Sequence, residues 1–280
     1  MIQKTPRAGL ESKLALKRVM EGNRNRDLTE QESERNIADN LVVVAGFDEI
    51  DKRLADGSVN MKTKGVGTGL QLTTDGFILT AYHNIQAYEE DWRRINETNP
   101  ATEANVHSWM EDMKMRYAVV DQQRNSYPID TTFWTANPTL DIALIKAVIL
   151  KKPKPIDFRI ATEDLEVDDE VKLFGLREQR PYNQYGKVIS ASRDAPIRHA
   201  KTGKLVSTTY DTFLTDAYGT PGFSGGIFTT LHGEFAGLAL YIQKNGNGQI
   251  GHAGGAKAKN IVKLVEESVK LVEESAHALR

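Results

Sequence analysis

The stretch Thr220-Pro221-Gly222-Phe223-Ser224-Gly225-Gly226, running on into Ile227-Phe228-Thr229-Thr230 and, after Leu231-His232-Gly233, into Phe235 to Ile242, sets a serine in a glycine-rich turn directly ahead of two apolar runs. Glycines flanking a serine let the backbone bend until its N–H groups converge on one spot, which is what stabilising an oxyanion requires. A serine hydroxyl is a weak nucleophile by itself, so such a turn has a use only with a base, and with a group that orients the base. His83 is the best candidate base, because it ends the apolar run Phe77 to Tyr82, from which an imidazole can project out of a core. Asp141 opens Ile142-Ala143-Leu144-Ile145, where a carboxylate is costly unless a donor pairs with it, so it is the candidate orienter.

Outward from these residues the chain keeps one texture. Leu41 to Val44, Gly65 to Leu72, Phe77 to Ala81, Tyr117 to Asp121, Leu140 to Val148, Val171 to Leu176, Lys187 to Ala191, Thr212 to Leu214, Gly226 to Leu231 and Phe235 to Ile242 are short β-branched or aromatic runs broken by turn signals. That spacing predicts an all-β barrel or sandwich and not βαβ units. Thr74-Asp75-Gly76 and Leu231-His232-Gly233 read as tight turns in which glycine supplies a positive φ.

Three segments depart from that texture. Residues 1–40 are dense in both charges, with Leu10, Leu14, Leu16, Val19 and Met20 spaced for one amphipathic helix, which predicts a helical N-terminal arm that either binds a partner or is a solvated extension. Residues 86–115, rich in helix formers and split by Asn99-Pro100, predict a helical insertion that is either a gating surface or a neutral excursion. Lys151-Lys152-Pro153-Lys154-Pro155 predicts the link between a first β half over 41–150 and a second over 151–260. Residues 261–280 hold a near-duplicated heptad with Val262, Val265, Val269, Val272 and Ala276 on one stripe, expected to dock on the chain's own β core.

The composition excludes several chemistries. Lys+Arg 36 against Asp+Glu 38 gives a formal charge of −2, which argues against nucleic acid as a partner. With no cysteine there is no disulfide, thiolate nucleophile or cysteine-ligated zinc, and His107, His199, His232, His252 and His277 lack metal-ligand spacing, so neither metal nor cofactor is expected. Met1 to Arg7 leads into charge and not into an apolar core, and no run approaches a membrane helix, so a cytoplasmic protein without a membrane partner is expected.

Thr80-Ala81-Tyr82-His83, Asp141-Ile142-Ala143-Leu144 and Gly222-Phe223-Ser224-Gly225-Gly226 resemble, in that order, the three catalytic motifs of trypsin-like serine proteases, with the HtrA/Deg-like peptidases as the nearest subgroup. The likeness extends to Gly67-Thr68-Gly69, Asp75-Gly76, Thr215-Asp216-Ala217, Gly233-Glu234 and Gly237, and covers about residues 60 to 265. It implies two six-stranded antiparallel β-barrels with a cleft between them and a C-terminal helix. It also implies Ser224 as nucleophile, His83 as base, Asp141 as its orienter, and an oxyanion hole from the N–H groups of Gly222 and Ser224.

Departures from the family pattern carry expectations too. Phe223 stands where digestive members keep the acid that receives a new N-terminus, so activation by that ion pair is excluded. Tyr218 replaces trypsin's specificity carboxylate, and Ala239, Leu240 and Tyr241 match the pocket wall, which implies an apolar P1 preference. No PDZ domain follows the protease region before Arg280, and Gly175-Leu176-Arg177 lacks the Gly-Asn-Pro usual there.

Two other folds were weighed. Gly222-Phe223-Ser224-Gly225-Gly226 fits the nucleophile elbow of α/β-hydrolases, but too few residues follow Ser224 to supply that fold's acid, histidine and further strand–helix units. Gly65 to Gly69 looks like a dinucleotide loop yet leads into a hairpin. The expectation is a serine endopeptidase acting on protein or peptide through an acyl-enzyme, with an activating partner or self-association as its regulation. The alternative is a protease-fold binding protein with a closed or inactive cleft.

Overall fold

The structure, a computed structural model, describes residues 29–53, 59–74, 76–85, 117–147, 159–177, 180–198, 205–220, 222–243 and 251–277. The amphipathic set at 10–20, the insertion at 86–115 and the Lys/Pro link at 151–155 lie outside them. Helix α1 (Glu30–Asp39) leads into β1 (Leu41–Arg53), β2 (Val59–Gln71), β3 (Phe77–Ala81), a 3-10 turn (Tyr82–Asn84), β4 (Tyr117–Val120), β5 (Ser126–Asn137) and β6 (Ile142–Ala147). A second set follows: β7 (Glu170–Arg177), β8 (Arg180–Arg198), β9 (Leu205–Tyr218), β10 (Ile227–Thr230), β11 (Phe235–Ile242), β12 (His252–Lys257) and helix α2 (Ala258–His277).

Each set closes into an antiparallel barrel, in the orders β1-β2-β3-β6-β5-β4 and β7-β8-β9-β12-β11-β10, so the two halves repeat one topology. The uninterrupted apolar runs follow from burial on both strand faces. Leu41, Val43 and Ala45 of β1 enter a cluster continuous between the barrels, whereas Val42 and Val44 enter the first barrel's own interior. β3 and β6 divide in the same way, Phe77 and Leu79 against Ile78, and Ile142 and Leu144 against Ala143 and Ile145. The inter-barrel cluster also takes Phe174, Ile227 and Leu240 from the second barrel, which makes the interface a true core.

Two strands escape the sequence reading. β5 contains Pro128, which ordinarily demotes a strand. β12 is His252-Ala253-Gly254-Gly255-Ala256-Lys257, without a β-branched side chain; a Cβ at Gly254 would stand 2.2 Å from the Tyr241 ring and one at Gly255 2.3 Å from the Leu238 carbonyl oxygen. Glycine is there because the neighbouring strand fills the space.

Helix α1 docks one face on the barrels and leaves Glu30, Gln31, Glu32, Arg35 and Asp39 exposed on the other. A capping box joins Thr29 and Glu32 at its start, Ile37 is buried in the inter-barrel cluster, and Gln122, between β4 and β5 of the first barrel, donates to the helix's Ala38 carbonyl. Ser33 donates to the Gly233 carbonyl, and Glu34 pairs with Lys172, both in the second barrel. The helix therefore straps the barrels together. Helix α2 packs Ile261, Leu264 and Val265 on the same cluster and leaves Val262 half-buried, so its buried face runs i, i+3, i+4 from Ile261. Among the described residues no helix is long and apolar enough to cross a membrane.

Candidate active site

His83 stands in the 3-10 turn that ends β3, and Asp141 heads β6. The Ala81↔Ile142 pairing in the β3–β6 ladder brings the two strand ends side by side. Asp141 has φ 55°, a left-handed conformation that Asp tolerates better than most residues. In this pose its carbonyl accepts the Tyr82 N–H at 2.9 Å, Oδ1 accepts the His83 N–H at 2.9 Å, and Oδ2 lies 2.7 Å from His83 Nδ1. A fully buried carboxylate is thus satisfied by the residue it orients.

The tautomer follows from the donor inventory. An ionised carboxylate only accepts, so Nδ1 carries the proton and Nε2 presents its lone pair. Nε2 is in hydrogen-bond contact with Ser224 Oγ. The Leu240 carbonyl, 3.1 Å from Oγ, is the competing acceptor for the single hydroxyl proton. His83 feels opposed influences: burial, the largest, disfavours the imidazolium, while the Asp141 charge and hydrogen bond favour it. Together the Asp141 contributions prevail and raise its pKa above the ordinary 6.5.

The serine turn is held at nearly every peptide. Phe223 N–H donates to the Thr220 carbonyl at 3.1 Å across Gly222, whose φ of +99° at the third position is the one a type II turn demands. Gly226 N–H donates to the Phe223 carbonyl at 2.7 Å and Gly225 N–H to the Ala239 carbonyl at 2.6 Å. Phe223 is buried, against Gly175 and with its ring 5.9 Å from that of Tyr182, so an apolar anchor occupies the place expected to lack an ion pair.

The trypsin-like peptidase domain profile matches residues 67–238, more than half of the chain. The chain belongs to the trypsin-like peptidase domain family. The MamO protease domain from Magnetospirillum magneticum, in its apo form, is 18% identical with a TM-score of 0.52, over 82% of this chain and 97% of that one. The Rv3671c protease from M. tuberculosis, in its active form, is 12% identical with a TM-score of 0.54, over 87% and 86%. At those identities the likeness concerns the fold. No curated protein matches the chain.

The residues read as pocket-lining are placed differently from one another. Ala239 points into the second barrel's core and Leu240 into the inter-barrel cluster, so each can face the cleft only through main chain. Tyr218 is 50% exposed, and Tyr241 is half-buried with its hydroxyl 3.2 Å from both Thr212 Oγ1 and the Phe213 carbonyl. Farther along β11, Ile242 packs over Gly219. Its Cγ1 lies 2.7 Å from where a Cβ on Gly219 would stand, with Ala253 behind.

Proposed function

We propose that the protein is a serine endopeptidase in which Ser224, His83 and Asp141 form the catalytic triad. The observation that carries this reading is the single imidazole bridging a buried carboxylate at Nδ1 and a serine hydroxyl at Nε2. Ser224 Oγ attacks the scissile carbonyl as Nε2 takes its proton, the carbon–oxygen π pair moves onto the oxygen, and the imidazolium is held by Asp141. The Gly222 and Ser224 amides are the donors for that oxyanion. Collapse of the adduct expels the amine, which takes the proton from Nε2. Water, deprotonated by the same nitrogen, then adds to the acyl carbon, the bond to Ser224 Oγ breaks, and Nε2 returns the proton to Oγ as the acid leaves. A fluorophosphonate probe tests the assignment without a known substrate: Ser224-dependent labelling is expected, and labelling that persists in Ser224→Ala would overturn it.

The raised His83 pKa gives the pH dependence. Only the neutral imidazole acts as base, so labelling should rise with pH through a midpoint above 6.5. In Asp141→Asn the favourable charge is gone and burial acts alone, so the midpoint should fall below 6.5, a titration readable by NMR. For stability the sign is the reverse: a raised native pKa contributes stability that is present below about 6.5 and is lost as pH climbs through the native value.

An apolar, small P1 residue fits the cleft best. β11 passes the nucleophile at Leu240, and Ile242 packed on Gly219 and Ala253 narrows the space just beyond it. In a peptide panel, Ala or Val at P1 should exceed Lys or Arg at least about tenfold, as expected of apolar pockets; a preference for Lys or Arg would refute this. The same packing favours the second reading, a recognition protein with a closed cleft, which absence of labelling with intact folding would support.

A further inference from the structure

Thr68 lies on β2 of the first barrel, is fully buried, and uses its polar groups on the second barrel. Its N–H donates to the Ser224 carbonyl at 2.7 Å. Its hydroxyl donates to the Gly222 carbonyl at 2.6 Å and accepts the N–H of Leu176, near the end of β7, at 3.1 Å. Thr80 holds Thr68 from behind, its hydroxyl donating to the Thr68 carbonyl at 2.8 Å. Asn84, next to His83, divides its amide between the Ser224 carbonyl at 3.0 Å and Thr80 Oγ1 at 3.1 Å. Gly67 leaves the room for it, since a Cβ there would stand 2.1 Å from Asn84 Nδ2.

We propose that Thr68, assisted by Asn84, is a positioning residue for the nucleophile turn: from the first barrel it fixes the carbonyls of Gly222 and Ser224 and thereby the direction of the amides beside them. The inference rests on the reading of Ser224 as nucleophile. A type II turn relaxes by flipping its central peptide, which takes the third residue from positive to negative φ. In this turn that motion would swing the Gly222 N–H away from Ser224, and it requires rotation at Gly222. The Thr68 hydroxyl anchors the Gly222–Phe223 peptide on the far side of the rotating N–Cα bond, its one proton committed to the Gly222 carbonyl and a lone pair to the Leu176 N–H, so the turn cannot swing as a whole. The bond joins the turn, the first barrel and the end of β7, so the oxyanion amides stay aimed only while the barrels stay in register.

Thr68→Val keeps the branched shape and leaves a buried carbonyl and a buried amide without partners. The maximal rate of fluorophosphonate labelling should fall roughly 10- to 100-fold, with the probe's affinity changing less than about threefold, since a lost buried hydrogen bond is worth that factor. Thr68→Ser should recover most of the rate. A purely structural role would lower the folded fraction in Thr68→Val and not this split between rate and affinity. Amide hydrogen exchange at Phe223 to Gly226 supplies a readout independent of catalysis, and should quicken in Thr68→Val and in Asn84→Ala but not in Thr68→Ser. Should Thr68→Val fail to fold, Asn84→Ala against the parent carries the same comparison. Unchanged exchange in a folded Thr68→Val overturns the clamp even if the parent labels well. A parent that never labels while its exchange responds in this pattern overturns the protease reading and leaves the clamp standing.

Discussion

Asp141→Asn is expected to lower kcat about 10⁴-fold, and Ser224→Ala or His83→Ala about 10⁶-fold, by analogy with triads that act as a unit. The Asn effect follows from atom counts. Asp141 offers two acceptors, one used by the His83 amide and one by Nδ1–H. Asn has one carbonyl oxygen, and its amide nitrogen only donates. If the oxygen keeps the backbone bond, the NH2 faces Nδ1, which must then give up its proton and become the acceptor. The proton moves to Nε2, and the nitrogen that should receive the Ser224 proton is already occupied. The side chain keeps its size and tolerance of positive φ, so the fold should survive. The Ser224→Ala/His83→Ala double variant should be no worse than either single variant; additive losses would mean that the two groups act separately. A burst of acyl-enzyme in the parent and its loss in each variant would be read by single-turnover kinetics.

The parts of this molecule that could be read from sequence share a physical trait: their signal is local. His83, Asp141 and Ser224 stand at the ends of apolar runs, where a polar group needs a reason, and their order along the chain matches a known arrangement. Gly76 and Gly233 were legible as turn glycines, and both have positive φ. β12 was not legible because its composition answers to Tyr241 and Leu238 across the ladder and not to strand propensity. Thr68 was visible only as the centre of Gly67-Thr68-Gly69, since the chemistry of its hydroxyl depends on a carbonyl and an amide more than 100 residues away. Glu34 and Ser33 were submerged in a charged arm, and nothing in their spacing told of Lys172 and Gly233. That Ala239 and Leu240 turn their side chains into two different cores was not legible either, because it depends on how the barrels close.

Gly222→Ala and Gly225→Ala should separate catalysis from folding within one turn. Both glycines have positive φ, +99° and +84°, where a Cβ costs roughly 1–2 kcal/mol. At Gly222 the new methyl meets, among the described residues, the Leu176 carbonyl oxygen at 3.2 Å, which a small shift accommodates. The turn can relax to negative φ, so the protein folds while one oxyanion donor swings away, and kcat should fall about 10²- to 10³-fold, as for other lost oxyanion donors. At Gly225 the methyl would stand 2.0 Å from the Thr68 carbonyl oxygen, 2.7 Å from Thr80 Oγ1 and 3.1 Å from the Ala81 nitrogen. Two of these are backbone atoms in strands of the first barrel, which cannot yield singly. Relief therefore requires pulling the nucleophile turn off β2 and β3 and breaking the Thr68–Ser224 bond. Strain, overpacking and the lost bond together amount to about 3–5 kcal/mol, a large share of a typical domain's stability. Denaturant titration with labelling in parallel should show Gly222→Ala folded and nearly silent, and Gly225→Ala with its midpoint displaced far downward. Equal midpoints for the two would mean that the turn is not wedged between the barrels as these distances require.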